Sequence, residues 1–201
     1  MITFSIDEIA KAARLLAAGE IVAIPTDTVY GLAVSLRSVE GIRRIFTVKQ
    51  RPDSVALPVL VSSLEQACEV TERSDARLAS LAEEFWPGPL TIVTEAPVEV
   101  ARSVGSTTPT LGLRCPDDPV VAALLAAVGP LCVTSANEHG QPPCTNAAQV
   151  RETLSGRGVA GVLDGGTREK TPSTVIELGR HGVVERRGGP ISITQIRAVL
   201  D

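Results

Sequence analysis

Ile21-Val22-Ala23-Ile24-Pro25-Thr26-Asp27-Thr28-Val29-Tyr30-Gly31-Leu32-Ala33-Val34 decides the fold, because it sets two apolar runs on either side of one polar turn. Ile21 to Ile24 is short and rich in β-branched residues. It reads as a buried strand stopped at Pro25, which has no amide hydrogen to give a sheet. Val29 to Val34 continues as a second strand. Upstream, Ser5-Ile6-Asp7-Glu8 is a capping box, in which the serine hydroxyl and the glutamate carboxylate satisfy free helix amides. Ile9, Ala12, Ala13 and Leu16 then recur at helical spacing up to Gly19, which ends that helix.

Downstream the same alternation continues. Ser38 to Val48 predicts a helix, Leu57 to Val61 a strand, and Ser63 with Gln66 a second capping box opening a short helix. Ser74 to Phe85 predicts another helix, broken by Trp86-Pro87-Gly88-Pro89 before a strand at Leu90 to Thr94. Further strands are expected at Leu111 to Arg114, Leu131 to Thr134, Val159 to Leu163, Thr174 to Leu178 and Val183 to Arg186. Helices are expected at Pro119 to Ala127 and, after the capping box Ser192 to Gln195, at the C-terminus. Strands alternate with helices early and dominate the last third, so the expected fold is α/β, an open twisted mixed β-sheet with flanking helices.

A chain of 201 residues with 44% hydrophobic composition and no long Ser/Gly linker is expected to form one domain, residues 1–201. Five aromatics, Phe4, Tyr30, Phe46, Phe85 and Trp86, leave the core to Val, Leu, Ile and Ala. A net charge of −4 argues against gripping nucleic acid through the overall field and leaves room only for a local basic groove. Asp7 and Glu8 stand where a signal peptide would be basic, and no apolar run reaches the roughly 18 residues that span a bilayer, so the expected location is the cytoplasm. Cys68, Cys115, Cys132 and Cys144 lack C-x-x-C spacing, and His139 and His181 fit no metal pattern, so no structural zinc or disulfide is expected.

Familiar catalytic motifs do not fit. Gly156-Arg157-Gly158-Val159-Ala160-Gly161 matches G-x-G-x-x-G, but a helical stretch precedes it and a strand follows, the reverse of a dinucleotide fingerprint. There is no G-x-x-x-x-G-K-[ST], and no histidine serves a G-x-S-x-G elbow.

The chemistry-bearing segments are polar turns lying against apolar runs. Lys49-Gln50-Arg51-Pro52 places two cations after an amphipathic helix, in a chain whose other lysines are Lys11 and Lys170. Two cations at a helix end also offset the helix dipole, for about 0.3–1 kcal/mol. Thr134-Ser135-Ala136-Asn137 should emerge at the end of a buried strand, where open α/β sheets bind ligands, although an Asn turn can simply satisfy its own backbone. Arg114 and Arg186-Arg187 could serve as ligands or as solvated ion-pair partners.

Taken together, Ile24 to Leu32, Lys49 to Pro52, Phe85-Trp86-Pro87-Gly88-Pro89-Leu90-Thr91, Leu113-Arg114, Ser135-Ala136-Asn137, Pro172-Ser173-Thr174 and Arg187-Gly188-Gly189 resemble the YrdC-like family of threonylcarbamoyl-AMP synthases. The resemblance spans nearly the whole chain, in order. It implies a nucleotidyltransferase that joins L-threonine, bicarbonate or CO2, and ATP into threonylcarbamoyl-adenylate with release of pyrophosphate. That product would pass to a transferase that modifies tRNA, with weak tRNA contact and no membrane. By the same resemblance, Lys49, Arg51, Ser135, Asn137 and Arg187 face ATP, with Lys49 and Arg51 also catalytic. Thr28, Tyr30, Arg114 and Ser173 face threonine. Mg2+ would arrive with ATP, keeping much of its hydration, without a protein metal site.

The chain departs from the family pattern at Val55-Ala56, where many members carry Lys-Pro, and at Leu60, where some place histidine near threonine. The extra C-terminal domain of longer relatives, and any gating by it, is expected to be absent. Two rival expectations are an RNA-binding module without chemistry, which the scarcity of aromatics disfavours, and a carbamoyl-transfer enzyme of related fold.

Overall fold

The computed structural model describes residues 1–51, 55–138, 140–168, 171–180 and 182–201. Its two diagnostic strands, β2 (Ile21–Ile24) and β3 (Gly31–Ser35), pair antiparallel, with the Pro25–Tyr30 turn between them. Every residue of both strands is buried. Gly31 opens β3 because a Cβ there would lie 2.6 Å from Val133 Cγ1 on the next strand.

Eight further strands complete one mixed sheet: β1 (Ile2–Ser5), β4 (Val59–Leu60), β5 (Leu90–Glu95), β6 (Thr110–Arg114), β7 (Leu131–Ser135), β8 (Val159–Asp164), β9 (Thr174–Gly179) and β10 (Gly182–Arg187). The order is β1-β8-β2-β3-β7-β4-β6-β5-β9-β10. The helices are α1 (Ile9–Ala17), α2 (Val39–Lys49), α3 (Leu64–Thr71), α4 (Ala76–Phe85), α5 (Val98–Ser103), α6 (Pro119–Val128), α7 (Ala147–Leu154) and α8 (Ile193–Leu200). None of the helices described is long and apolar enough to cross a membrane.

The two halves of the sheet are covered differently, and this creates the site. Around β8, β2, β3 and β7 both faces are packed. Phe4, Val22, Ile24, Ala33 and Leu131 join one cluster with α1 and α6, while Ile21, Ala23, Leu32 and Val34 join another with α2 and α7. In β4, β6, β5 and β9, Val59, Leu111, Leu113, Ile92, Ile176 and Leu178 belong to the larger cluster, shared with α4 and α8. Their neighbours at period two, Leu60, Gly112, Arg114, Thr91, Val93 and Val175, line a cavity on the other face.

Local rules account for most element boundaries. Asp118 caps α6 by accepting from Val120 N and Val121 N, with Pro119 at its first turn. Gln50 ends α2 in the left-handed region, φ 51°, and the capping boxes at Ser5 and Ser192 form as expected. Two elements stand outside the expected set, and one expected strand shortens. The segment ahead of the first capping box is an edge strand, β1, in which Phe4 alone is buried. Residues 98–103 form the short helix α5. The strand expected at Leu57 to Val61 contracts to Val59–Leu60, because Leu57 donates to Val104 O and Pro58 has no donor. Gly156 to Gly161 lies after α7 and runs into β8, in the helix-then-strand order that rules out a dinucleotide loop.

Candidate active site

One cavity of about 450 Å³ gathers Thr28, Tyr30, Arg51, Arg114, Ser135, Asn137, Ser173 and Arg187, residues drawn from separate segments of the chain. Its floor is the uncovered sheet face, so the ligand space lies across the strands. Ser135 ends β7 as expected and lines the cavity with Asn137, and from that strand end the cavity extends over the sheet face. The incomplete helical cover of β4, β6, β5 and β9 opens the face, and the Thr26–Thr28 turn folds over it.

Arg114 is the most buried of the arginines that line the cavity. Its Nη2 donates to Asp27 Oδ2 at 2.6 Å, its Nε to Gly88 O at 3.0 Å and its Nη1 to Thr28 Oγ1 at 3.4 Å. Both members of the ion pair are buried. Burial and the nearby Arg187 disfavour the guanidinium charge, and Asp27 opposes that. An arginine stays protonated under this load. Two of its five N–H groups have no partner among these contacts, enough for a bidentate anion. Asp27 Oδ1 is buried without a hydrogen-bond partner among the described residues.

Beside it, Thr91 Oγ1 and Ser173 Oγ are 2.9 Å apart. Arg187 donates from Nε and Nη2 to Ser173 O at 3.1 and 2.9 Å, and from Nη2 to Ser173 Oγ at 3.1 Å. Gly189 permits this approach, since a Cβ there would lie 2.4 Å from Thr174 N. Across the cavity, Arg51 donates from Nε to Val55 O at 2.7 Å and from Nη2 to Ala56 O at 3.0 Å. Arg51 is thus aimed by the backbone carbonyls of residues 55 and 56, which do not depend on the side chains there. Neither Arg51 nor Arg187 has a carboxylate partner among the described residues, so both leave positive charge facing the cavity, although burial works against it. Leu60, in register with Arg114, forms an apolar stretch of wall.

Tyr30 is part of the cavity lining and of the buried core, and its hydroxyl is committed elsewhere. It donates to Gly166 O at 2.9 Å and accepts from Gly165 N at 3.0 Å. Burial raises its pKa. The 136–144 loop is closed on the same residue, with Ala136 N donating to Tyr30 O and Tyr30 N to Cys144 O.

Lys49, expected on the triphosphate, lies behind this wall and is 1% exposed. Its ammonium donates to Ser135 O at 2.5 Å, Asn137 O at 2.8 Å and Asn137 Oδ1 at 2.9 Å. Thr91, which closes the Phe85–Thr91 motif, also lines the cavity, as do Ser106, Thr110 and Gln141, which no sequence motif marks for it. Asp27 is legible in the sequence only as part of a polar turn. Its one available signal is its place as the sole acid in that turn, in a site that collects arginines. His139, Glu169, Lys170, His181 and Pro52 lie outside the described residues.

A mixed α/β sheet with an arginine-lined cavity on one half-covered face defines the class of this protein. The chain belongs to the family whose model is Sua5_yciO_yrdC, described as "Telomere recombination", which matches residues 14–188. It is 36% identical over 196 residues to the threonylcarbamoyl-AMP synthase of Bacillus subtilis, covering 96% of this chain and 56% of that protein. To the threonylcarbamoyl-AMP synthase of Pyrococcus abyssi it is 34% identical, covering 94% of this chain and 56% of that one. The crystal structure of P. abyssi Sua5 complexed with L-threonine superposes with a TM-score of 0.91 at 31% identity, over 99% of this chain and 60% of that one. The chain thus spans little more than half the length of these relatives.

Proposed function

We propose that this domain makes threonylcarbamoyl-AMP and pyrophosphate from L-threonine, bicarbonate or CO2, and MgATP, as the first step of a tRNA modification in the cytoplasm. The observation that carries this reading is that one cavity holds a guanidinium fixed to take a carboxylate, Arg114, together with two arginines that no carboxylate neutralises among the described residues. Arg114, fixed by Asp27 and Gly88, offers two N–H groups to the threonine carboxylate. Thr28, Thr91 and Ser173 bring hydroxyls to its polar groups, and Leu60 offers an apolar surface. Arg51, across the cavity, and Arg187, beside Ser173, face the phosphates, with Ser135 in the same lining.

The chemistry asks for little else. The free amine of threonine adds to CO2, releasing a proton and forming a carbamate. A carbamate oxygen then bonds to the α-phosphorus as the bond to the pyrophosphate oxygen breaks. Charge moves onto the phosphate oxygens, and preorganised donors in a partly dry cavity stabilise it without a covalent intermediate. Magnesium enters as MgATP, because the cavity lining supplies arginines and hydroxyls and no carboxylate among the described residues. The names of the relatives and the threonine complex of the P. abyssi protein support this reading. Labelled bicarbonate, incubated with protein, MgATP and threonine, should appear by mass spectrometry in an adenylate formed in step with pyrophosphate. Pyrophosphate release without label incorporation would refute it.

A further inference from the structure

Lys49 stands in a segment whose expected partner is phosphate, but its surroundings are those of a strut. It closes α2 and reaches across to the 135–141 turn that follows β7. An ammonium has three N–H groups and no acceptor, and all three are used, each on an oxygen of that turn. The side-chain oxygen of Asn137 also accepts from Ser135 Oγ at 2.5 Å. The amide nitrogen of Asn137 donates to Glu138 O at 2.8 Å and to Gln141 O. The amide of Asn137 is thereby saturated by protein. Lys49, Ser135 and Asn137 form a closed polar frame, with Ser135 and the turn backbone on its cavity side and the ammonium behind.

We infer that Lys49 is a positioning residue, which shapes the nucleotide-facing turn through Asn137 and does not itself bind phosphate. This rests on the function proposed above. Turnover is then tied to the proton on Lys49. A neutral amine has two N–H groups and a lone pair, so it must point that lone pair at one of three carbonyl-type oxygens and break the frame. Burial, reinforced by the charge of Arg51, pushes the Lys49 pKa down to about 8, with the nearby Cys144 thiol pulling weakly the other way. Turnover should therefore fall as pH rises through about 8.

Stability moves in the opposite sense. The folded pKa of about 8 lies below the ordinary 10.5, so between these values the unfolded chain holds more protons, and this group's contribution to stability grows as pH rises. Loss of activity with that contribution rising separates the device from unfolding. The buried thiols of Cys115, Cys132 and Cys144 and the Tyr30 phenol have pKa values raised above the ordinary 9.0 and 10.0, so they act against stability from about pH 9 upward, inside the same window. The stability comparison is therefore made as wild type minus Lys49→Met.

Because the chain has three lysines, Lys11, Lys49 and Lys170, isotope-labelled lysine gives a readable NMR titration. In the ligand-free protein one lysine should titrate near 8, with slowly exchanging ammonium protons, and MgATP should leave that value in place. A rise of more than about one unit on adding MgATP would mean that the ammonium has moved to the phosphates and would overturn the inference. In a double-mutant cycle, Lys49→Met and Asn137→Ala should each weaken ATP binding by about 10- to 100-fold, and the double variant by no more. Additive losses would also overturn it. If the wild type bound no ATP, the proposed function would fall, while the ligand-free titration would still show whether Lys49 is locked on the turn.

Discussion

Asp27 and Arg114 form an ion pair at 2.6 Å in which the two side chains are 6% and 9% exposed. Burying two charges together is costly, and such pairs are weak evidence for stability by themselves. Here the pair holds a guanidinium in one orientation at the edge of a cavity. Removing the acid should leave the cation in place but aimed less well. Asp27→Ala should destabilise the fold by about 3–5 kcal/mol, the range for a buried charge left unpaired. Asp27→Asn keeps an acceptor for Nη2 and should be milder. In both, the threonine KM should rise more than the ATP KM, measured by pyrophosphate release with each substrate varied in turn. Equal effects on the two KM values would separate Arg114 from the amino-acid end.

Arg51→Ala removes a cation that two backbone carbonyls aim into the cavity. Turnover should fall by about 10²–10³, the scale for losing one transition-state donor. Arg51→Lys should not rescue it, since an ammonium cannot reproduce the planar fork. An unchanged rate in a folded Arg51→Ala protein would remove this residue from the chemistry.

Serine lacks one methyl of threonine, and an apolar wall such as Leu60 can discriminate against that loss by no more than about 10–200-fold. Measurable adenylate formation from L-serine is expected, with a lower kcat/KM. Competition between serine and threonine, read by mass spectrometry, checks it. Equal use of glycine, serine and threonine would exclude a threonine-shaped pocket.

Gly189→Ala should damage the site without touching a functional side chain. The added Cβ would lie 2.4 Å from Thr174 N and 2.8 Å from Pro172 O, both backbone atoms that cannot rotate away. The 172–174 segment must shift, taking Ser173 and the Arg187 contacts with it. Turnover should fall by at least about tenfold, given how steeply catalysis depends on positioning. Gly140→Ala is the control for a glycine in open space, since no atom of the described residues would lie within 4 Å of a Cβ added there, although its positive φ of 79° carries its own strain. Circular dichroism and thermal melts separate the two causes.

Much of the fold is legible in the chain because its rules are local. Capping boxes, Pro119 after Asp118, and short apolar runs bounded by proline or glycine act over about four to six neighbouring residues, so they mark most elements to within a few positions. Segments of low periodicity escape these rules. Residues 2–5 bury Phe4 alone, and residues 98–103 make too short a helix for its pattern to repeat.

The sequence by itself determined the alternation of strands and helices, the family, and which polar turns would matter, since each depends on residues close together in the chain. Only the tertiary structure decided that the cavity lies on a half-covered sheet face, that Asp27 is the partner of Arg114, and that Lys49 faces inward onto Asn137. The two side-chain pairings join residues 87 and 88 positions apart, and the cavity depends on which face of a strand the helices cover. Burial and hydrogen-bond saturation, which set the role of a charge, arise only when distant segments close around it.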